Sequence, residues 1–150
     1  MLKKVLLIGA LLSLNLMALD IGDSVPTNTI KILKMKKNRV YIVDFFASWC
    51  HSCEKELPLL VKLQDKIDKS KVELIGIDVD ENIAEGKKFQ KKLGLNFRVI
   101  NDSKSKIIGV FDPIGMPSVY LVKNGKIVGT IIGAKPHIDT HLLKILKVLK

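Results

Sequence analysis

The chain has 150 residues, 47% of them apolar and 27% charged. That is the size and make-up of one globular domain, which excludes a disordered, fibrous or two-domain protein. Lysine and arginine number 25 against 15 acids, for a formal net charge of +10. Only Arg39 and Arg98 are arginines, so the side chain best shaped for phosphate is nearly absent, and the scattered lysines describe a solvated surface rather than a nucleic-acid footprint.

At the start of the chain, Lys3 and Lys4 precede an apolar run from Val5 to Leu19, broken only by Gly9, Ser13 and Asn15. A basic start, an apolar centre and the small residue Ala18 outline a signal peptide over residues 1–18, with the mature domain at 19–150. As a helix the run reaches roughly 22 Å, short of the ~30 Å hydrocarbon core, so an uncleaved anchor in the inner membrane is the secondary reading. Export places the domain in the periplasm, away from nucleic acid. Arg39 to Phe46 is β-branched and aromatic and predicts a buried central strand. After Cys53 a helix follows, with Leu57, Leu60, Val61, Leu63 and Ile67 at helical spacing and Pro58 as a kink within it. Lys71 to Asp80 predicts a second buried strand, Asn82 to Leu93 a helix stopped by Gly94, Asn96 to Ile100 a short strand, and Ser103 to Phe111 a short helix. A loop with Pro113, Gly115 and Pro117 leads into two strands, Ser118 to Lys123 and Lys126 to Ile132, joined by the hairpin signal Asn124-Gly125. Ile138, Leu142, Ile145, Leu146 and Leu149 form the apolar stripe of a closing helix.

Both cysteines lie in one Cys-x-x-Cys, Cys50 and Cys53. A structural staple is poorly motivated there, because closing so short a loop is worth at most ~2 kcal/mol in the chain-entropy model. A closed zinc site needs four ligands and the chain has no second pair, so no metal is expected. His137 and His141, at i and i+4, read as surface histidines of the closing helix. Cys50 falls at the strand-to-helix turn, where unpaired N–H groups and the helix dipole favour a thiolate. It is the expected attacking thiol, and Cys53, one turn into the helix, the resolving thiol. Asp44, in an otherwise apolar strand six residues earlier, reads as a buried carboxyl with a raised pKa that takes the Cys53 proton. Glu56, one turn after Cys53, is either an ordinary exposed helix residue or a second modulator of that proton. His51, when protonated, would favour the Cys50 thiolate, and the two acids would oppose it.

The segment Val43-Asp44-Phe45-Phe46-Ala47-Ser48-Trp49-Cys50-His51-Ser52-Cys53 resembles the active-site strand and turn of the thioredoxin superfamily. Pro58, Met116-Pro117, Lys123-Asn124-Gly125-Lys126 and Gly133-Ala134 fall where that superfamily has its helix proline, cis-proline loop, terminal hairpin and small-residue rim. Extra elements between Ile77 and Pro117, the export signal and Glu56-Leu57-Pro58 resemble the TlpA/ResA-like branch. The resemblance implies an α/β thioredoxin fold: a central mixed sheet flanked by helices, with a helix-strand insertion before the cis-proline loop. It implies a substrate groove built from Trp49, His51, Met116, Pro117, Gly133 and Ala134, with a cis Met116-Pro117 bond facing the cysteines. No cofactor beyond a redox-active Cys50–Cys53 disulfide is implied. The chain departs from parts of the branch: Asp44 stands where asparagine is frequent, and Ser118 follows Pro117 where some cytochrome c maturation reductants carry an acid. The expectation is a monomeric envelope thiol-disulfide oxidoreductase that reduces cysteine pairs of exported proteins, cytochrome c maturation included, and is recharged by a membrane electron donor. An envelope oxidant or isomerase, or a redox-inert binding module, is the alternative.

Overall fold

The computed structural model describes residues 17–149. Residues 1–16, which carry most of the expected signal peptide, and Lys150 lie outside the described residues. Ten elements follow in order: α1 (Thr27–Ile32), β1 (Val40–Phe46), α2 (His51–Gln64), β2 (Val72–Asp78), α3 (Ile83–Lys92), β3 (Arg98–Asn101), α4 (Ile108–Phe111), β4 (Ser118–Lys123), β5 (Lys126–Ile132) and α5 (Ile138–Leu149). The strands form one sheet in the order β3-β2-β1-β4-β5. β1, β2 and β3 run parallel, while β4 and β5 are antiparallel to their neighbours. The sheet is therefore mixed and flanked by helices, as the thioredoxin resemblance implies.

β1 is buried at all seven positions, which is why it reads as a continuous apolar run rather than as an alternation. The period of two still sorts its side chains between two cores. Val40, Ile42 and Phe46 join Leu57, Leu60 and Leu63 of α2, Phe89 of α3, and Ile138, Leu142 and Leu146 of α5 on one face. Tyr41, Val43 and Phe45 join Leu33 beyond α1 and Phe111 of α4 on the other. Each fully buried leucine of the α2 stripe contributes about 2 kcal/mol of transfer free energy. On the α2 face of β2, a Cβ at Gly76 would stand 2.8 Å from Phe46 Cε1 and 3.0 Å from Phe97 Cε2, so the two rings occupy the space a side chain would need.

Two stretches differ from the sequence expectation. The short helix α1 has no apolar periodicity to announce it; its six residues begin after Pro26, and its cover over the second core comes from packing rather than propensity. The helix expected from Ser103 is cut to four residues, Ile108–Phe111. Asp102 is responsible: its carboxylate accepts the N–H groups of Lys106, Ile107 and Ile108 at 2.8, 2.9 and 2.8 Å, turning residues that would otherwise begin a helix into a side-chain-capped loop. The Asn124-Gly125 hairpin forms as expected, with φ of +50° and +75°, and α2 runs unbroken through Pro58. Among the described residues no helix is long and apolar enough to cross a membrane.

Candidate active site

β1 ends at Phe46 and α2 begins at His51, so the intervening turn delivers Cys50 to the helix N-cap. There the Cys50 Sγ accepts a hydrogen bond from Cys53 N at 3.2 Å, satisfying one of the N–H groups that a helix start leaves unpaired. The two cysteines form a disulfide with a Cα–Cα distance of 5.2 Å. Cys50 is 8% exposed and Cys53 fully buried, so an incoming group reaches Cys50 first. The N-terminal turn of α2 favours negative charge on the sulfur it caps.

Behind the pair lie two acids. Asp44 sits on the β1 face that carries Ile42 and Phe46, the face on which α2 and both cysteines pack. It is buried, and its Oδ1 has no hydrogen-bond partner. Burial, and then the neighbouring Glu56, push its carboxyl well above the ordinary value of 3.8. Glu56 is buried as well, not an exposed helix residue. Its Oε2 accepts from Lys135 N at 3.2 Å, which partly offsets the upward shift that burial imposes on it. The fold thus brings Asp44 and Glu56 together as a dehydrated pair, with burial raising both carboxyls and Glu56 raising Asp44 further.

On the solvent side, Trp49 is 69% exposed. His51 is exposed too, with its Nδ1 3.9 Å from Glu54 Oε2. Glu54 pairs with Lys92 at 2.7 Å, and that hydrogen bond and charge, followed by His51, hold its carboxyl below its usual value. The Met116-Pro117 bond is cis. Gly133, at φ +83°, donates its N–H to Pro117 O at 2.8 Å, so the cis-proline loop and the Gly133-Ala134 rim are tied together. Met116 is half-buried against both cores, Pro117 is buried and Ala134 is exposed. Trp49 and Met116 also line a cavity of about 710 Å³ with Ser48, Asp80 and Glu85. His137 and His141 join no cluster of three or more potential metal ligands among the described residues.

Sequence reasoning missed Ser48, Asp78, Asp80 and Gln90. Ser48 N and Oγ donate to Asp80 at 2.8 and 2.7 Å, and Asp78 accepts from Asp80 N and Gln90 Nε2 at 2.9 and 2.6 Å. Burial pushes the Asp78 carboxyl up to about 6 despite those donors. The available signal was two aspartates at the end of an apolar strand, beside the turn that carries the cysteines.

The model of the AhpC/TSA family matches residues 17–130. The thiol-disulfide oxidoreductase ResA of Bacillus thuringiensis (strain Al Hakam) is 37% identical over 137 residues, an alignment that covers 85% of this chain and 79% of that protein. Among solved structures, StoA from Bacillus subtilis is 26% identical with a TM-score of 0.65, over 73% of this chain and 84% of that one. A thiol:disulfide interchange protein DsbE from Chlorobium tepidum, described as putative, superposes with a TM-score of 0.75 at 24% identity, over 89% of this chain and all of that one; that likeness speaks for the fold.

Proposed function

From the premise that this chain belongs to the AhpC/TSA family and is a thiol-disulfide oxidoreductase, we propose that it acts in the bacterial periplasm as a reductant of cysteine pairs in exported proteins. The observation that carries this reading is the Cys50–Cys53 pair at the start of α2, with Asp44 buried on the β1 face against which α2 packs and Glu56 buried on α2 itself. In the reduced protein the Cys50 thiolate attacks one sulfur of a substrate disulfide. The substrate's other sulfur leaves as a thiolate, and a mixed disulfide forms. Asp44, assisted by Glu56, takes the Cys53 proton; Cys53 then attacks Cys50 Sγ, and the second substrate sulfur departs. Two electrons have passed to the substrate, the Cys50–Cys53 disulfide remains, and a membrane thiol-disulfide donor restores the dithiol. No further cofactor or metal is required.

Trp49, His51, Met116, Pro117, Gly133 and Ala134 form the groove for an extended substrate chain in this reading. Support comes from the exposure of Trp49 and from the hydrogen bond that joins the Pro117 and Gly133 segments. Residues 1–18 act as the export signal, and the mature domain works as a monomer. The cysteine pairs of c-type cytochromes are substrates of the required class. Where the buried acids are ionised, their negative charge disfavours the thiolate and so the dithiol form, which favours the reductant direction.

Cys53→Ser should accumulate mixed disulfides through Cys50 in the envelope, and Cys50→Ser none, as read by non-reducing electrophoresis after acid quenching. The reverse pattern refutes the assignment of roles. Thiol trapping of the unmodified protein in its native envelope should find the dithiol. A disulfide there would favour the oxidant or isomerase reading, and failure of the purified domain to reduce insulin would favour a redox-inert module.

A further inference from the structure

Parallel pairing of β1 with β2 sets Phe46 beside Asp78, so the two strands leave the sheet together. Two residues beyond each end stand Ser48 and Asp80. Asp80 is 5% exposed and uses both carboxylate oxygens on Ser48: Oδ2 accepts from Ser48 N at 2.8 Å and Oδ1 from Ser48 Oγ at 2.7 Å. A carboxylate that accepts from two donors on one residue fixes that residue's orientation more tightly than a single neutral bond would. Val79 N donates to Phe46 O at 3.0 Å, and Cys50 N donates to Ala47 O at 3.1 Å, so the clamp sits within a continuous run of bonds from β2 to the cysteine.

Asp80 is itself held from behind. Its N–H donates to Asp78 Oδ1 at 2.9 Å, Gln90 Nε2 donates to Asp78 Oδ2 at 2.6 Å, and the same Gln90 nitrogen lies 2.9 Å from Asn101 Oδ1. A Cβ at Gly86 would stand 2.4 Å from Asp78 Oδ2, so α3 brings bare backbone against this carboxylate. Neither Asp78 nor Asp80 forms an ion pair with a lysine or arginine among the described residues. Two buried acids without a cation are costly, and a turn alone needs only one acceptor.

We propose that Asp80 is a positioning residue for thiol exchange, its two bonds to Ser48 holding the Ser48-Trp49 segment so that Cys50 is presented at the start of α2. Asp78, Gln90 and Gly86 keep Asp80 in place. Because Ser48, Trp49 and Asp80 also wall the cavity that Met116 lines, the clamp shapes the surface that an incoming chain meets. The inference rests on Cys50 being the attacking thiol.

Its test uses the reduced protein, dipyridyl disulfide as the probe, and Trp49, the single tryptophan, as an internal reporter. Displacing a reacting atom by a fraction of an ångström is expected to slow Cys50 attack about 10-fold in Asp80→Asn and about 3-fold in Ser48→Ala. Both variants should alter the change in Trp49 emission between dithiol and disulfide. Ser48→Thr, which keeps the hydroxyl, should return the rate to within about 2-fold of the parent. The direction is informative, since removing the Asp80 charge would by electrostatics alone favour the Cys50 thiolate and speed the reaction. Unchanged rates and Trp49 response, with only the unfolding temperature lowered, overturn the inference. So does a Ser48→Thr protein as slow as Ser48→Ala. If Asp80→Asn does not fold, the two Ser48 variants decide the question alone. A parent whose reaction with the probe survives Cys50→Ser would overturn the Cys50 assignment first, which separates failure of that reading from failure of the clamp.

Discussion

Glu54 and Glu56 are two residues apart on the same helix, yet they are opposite acids. Glu54 faces solvent, pairs with Lys92 at 2.7 Å, and has its carboxyl held low by that partner. Glu56 is buried against Asp44 and the Lys135 backbone, and its carboxyl is raised by burial. A step of two residues turns the side chain by about 200° around the helix. The comparison shows that proximity in sequence to a cysteine does not set how tightly a carboxyl holds its proton; removal from water does.

The strongest way to break the comparison is at Asp44, which shares the buried side. Asp44→Asn should slow resolution of the mixed disulfide about 100-fold, the lower range for loss of a positioned base; stopped-flow measurement of Cys53-dependent release checks this. The same variant tests the burial argument through stability. Wild-type Asp44 keeps its proton in the native state above the ordinary value of 3.8, while the unfolded chain releases it. The native state therefore binds more protons, and wild-type stability falls as pH rises through that window. Asp44→Asn should remove this slope, so that its stability relative to wild type grows as pH rises above 3.8 in denaturant titrations. A constant difference across that range would sink the argument.

Glu56→Gln comes next. It retains an acceptor for Lys135 N and loses only the charge, so resolution should slow by about 10-fold and its pH dependence should move to lower pH, because Asp44 no longer has an acidic neighbour. On the exposed side the effects shrink. His51→Pro, tolerated at the first helical position, should make the couple more negative by about 30 mV in glutathione equilibration, the scale of one modest charge interaction. A wild-type potential near the ~−120 mV of strong periplasmic oxidants would count against the reductant reading. Glu54→Gln should leave resolution within about 2-fold of wild type, as expected for a screened surface pair; a larger effect would erase the contrast between the two glutamates.

Much of this was legible in the chain. The β1 run, the leucine stripe of α2 and the Asn124-Gly125 hairpin carry local signals of period and turn chemistry, and all three form as read. Placing Cys50 at a helix start needed only the junction of strand and helix patterns. Three features were not legible, for a shared reason. The burial of Glu56 depends on Lys135, 79 residues away. The Ser48–Asp80 clamp depends on the Phe46–Asp78 register. The shortening of α4 depends on Asp102 taking three N–H groups of the following turn. In each case a polar side chain chose a partner that tertiary geometry supplied, and hydrophobic periodicity does not encode such choices.

The apolar amino-terminal run ends at Leu19, and Leu19 N already donates to Phe111 O at 3.0 Å. Gly22 N and Val25 N follow, bonding to Ile127 O and Gly125 O. Among the described residues the fold therefore begins where the apolar run ends, and reach is a property of spacers. If residues 1–18 are the signal segment proposed above and stay in the bilayer, the domain would ride against the lipid headgroups with no tether on which to swing. Its catalysis would then be confined to proteins passing close to the membrane surface, whereas cleavage would release it to sample the whole compartment.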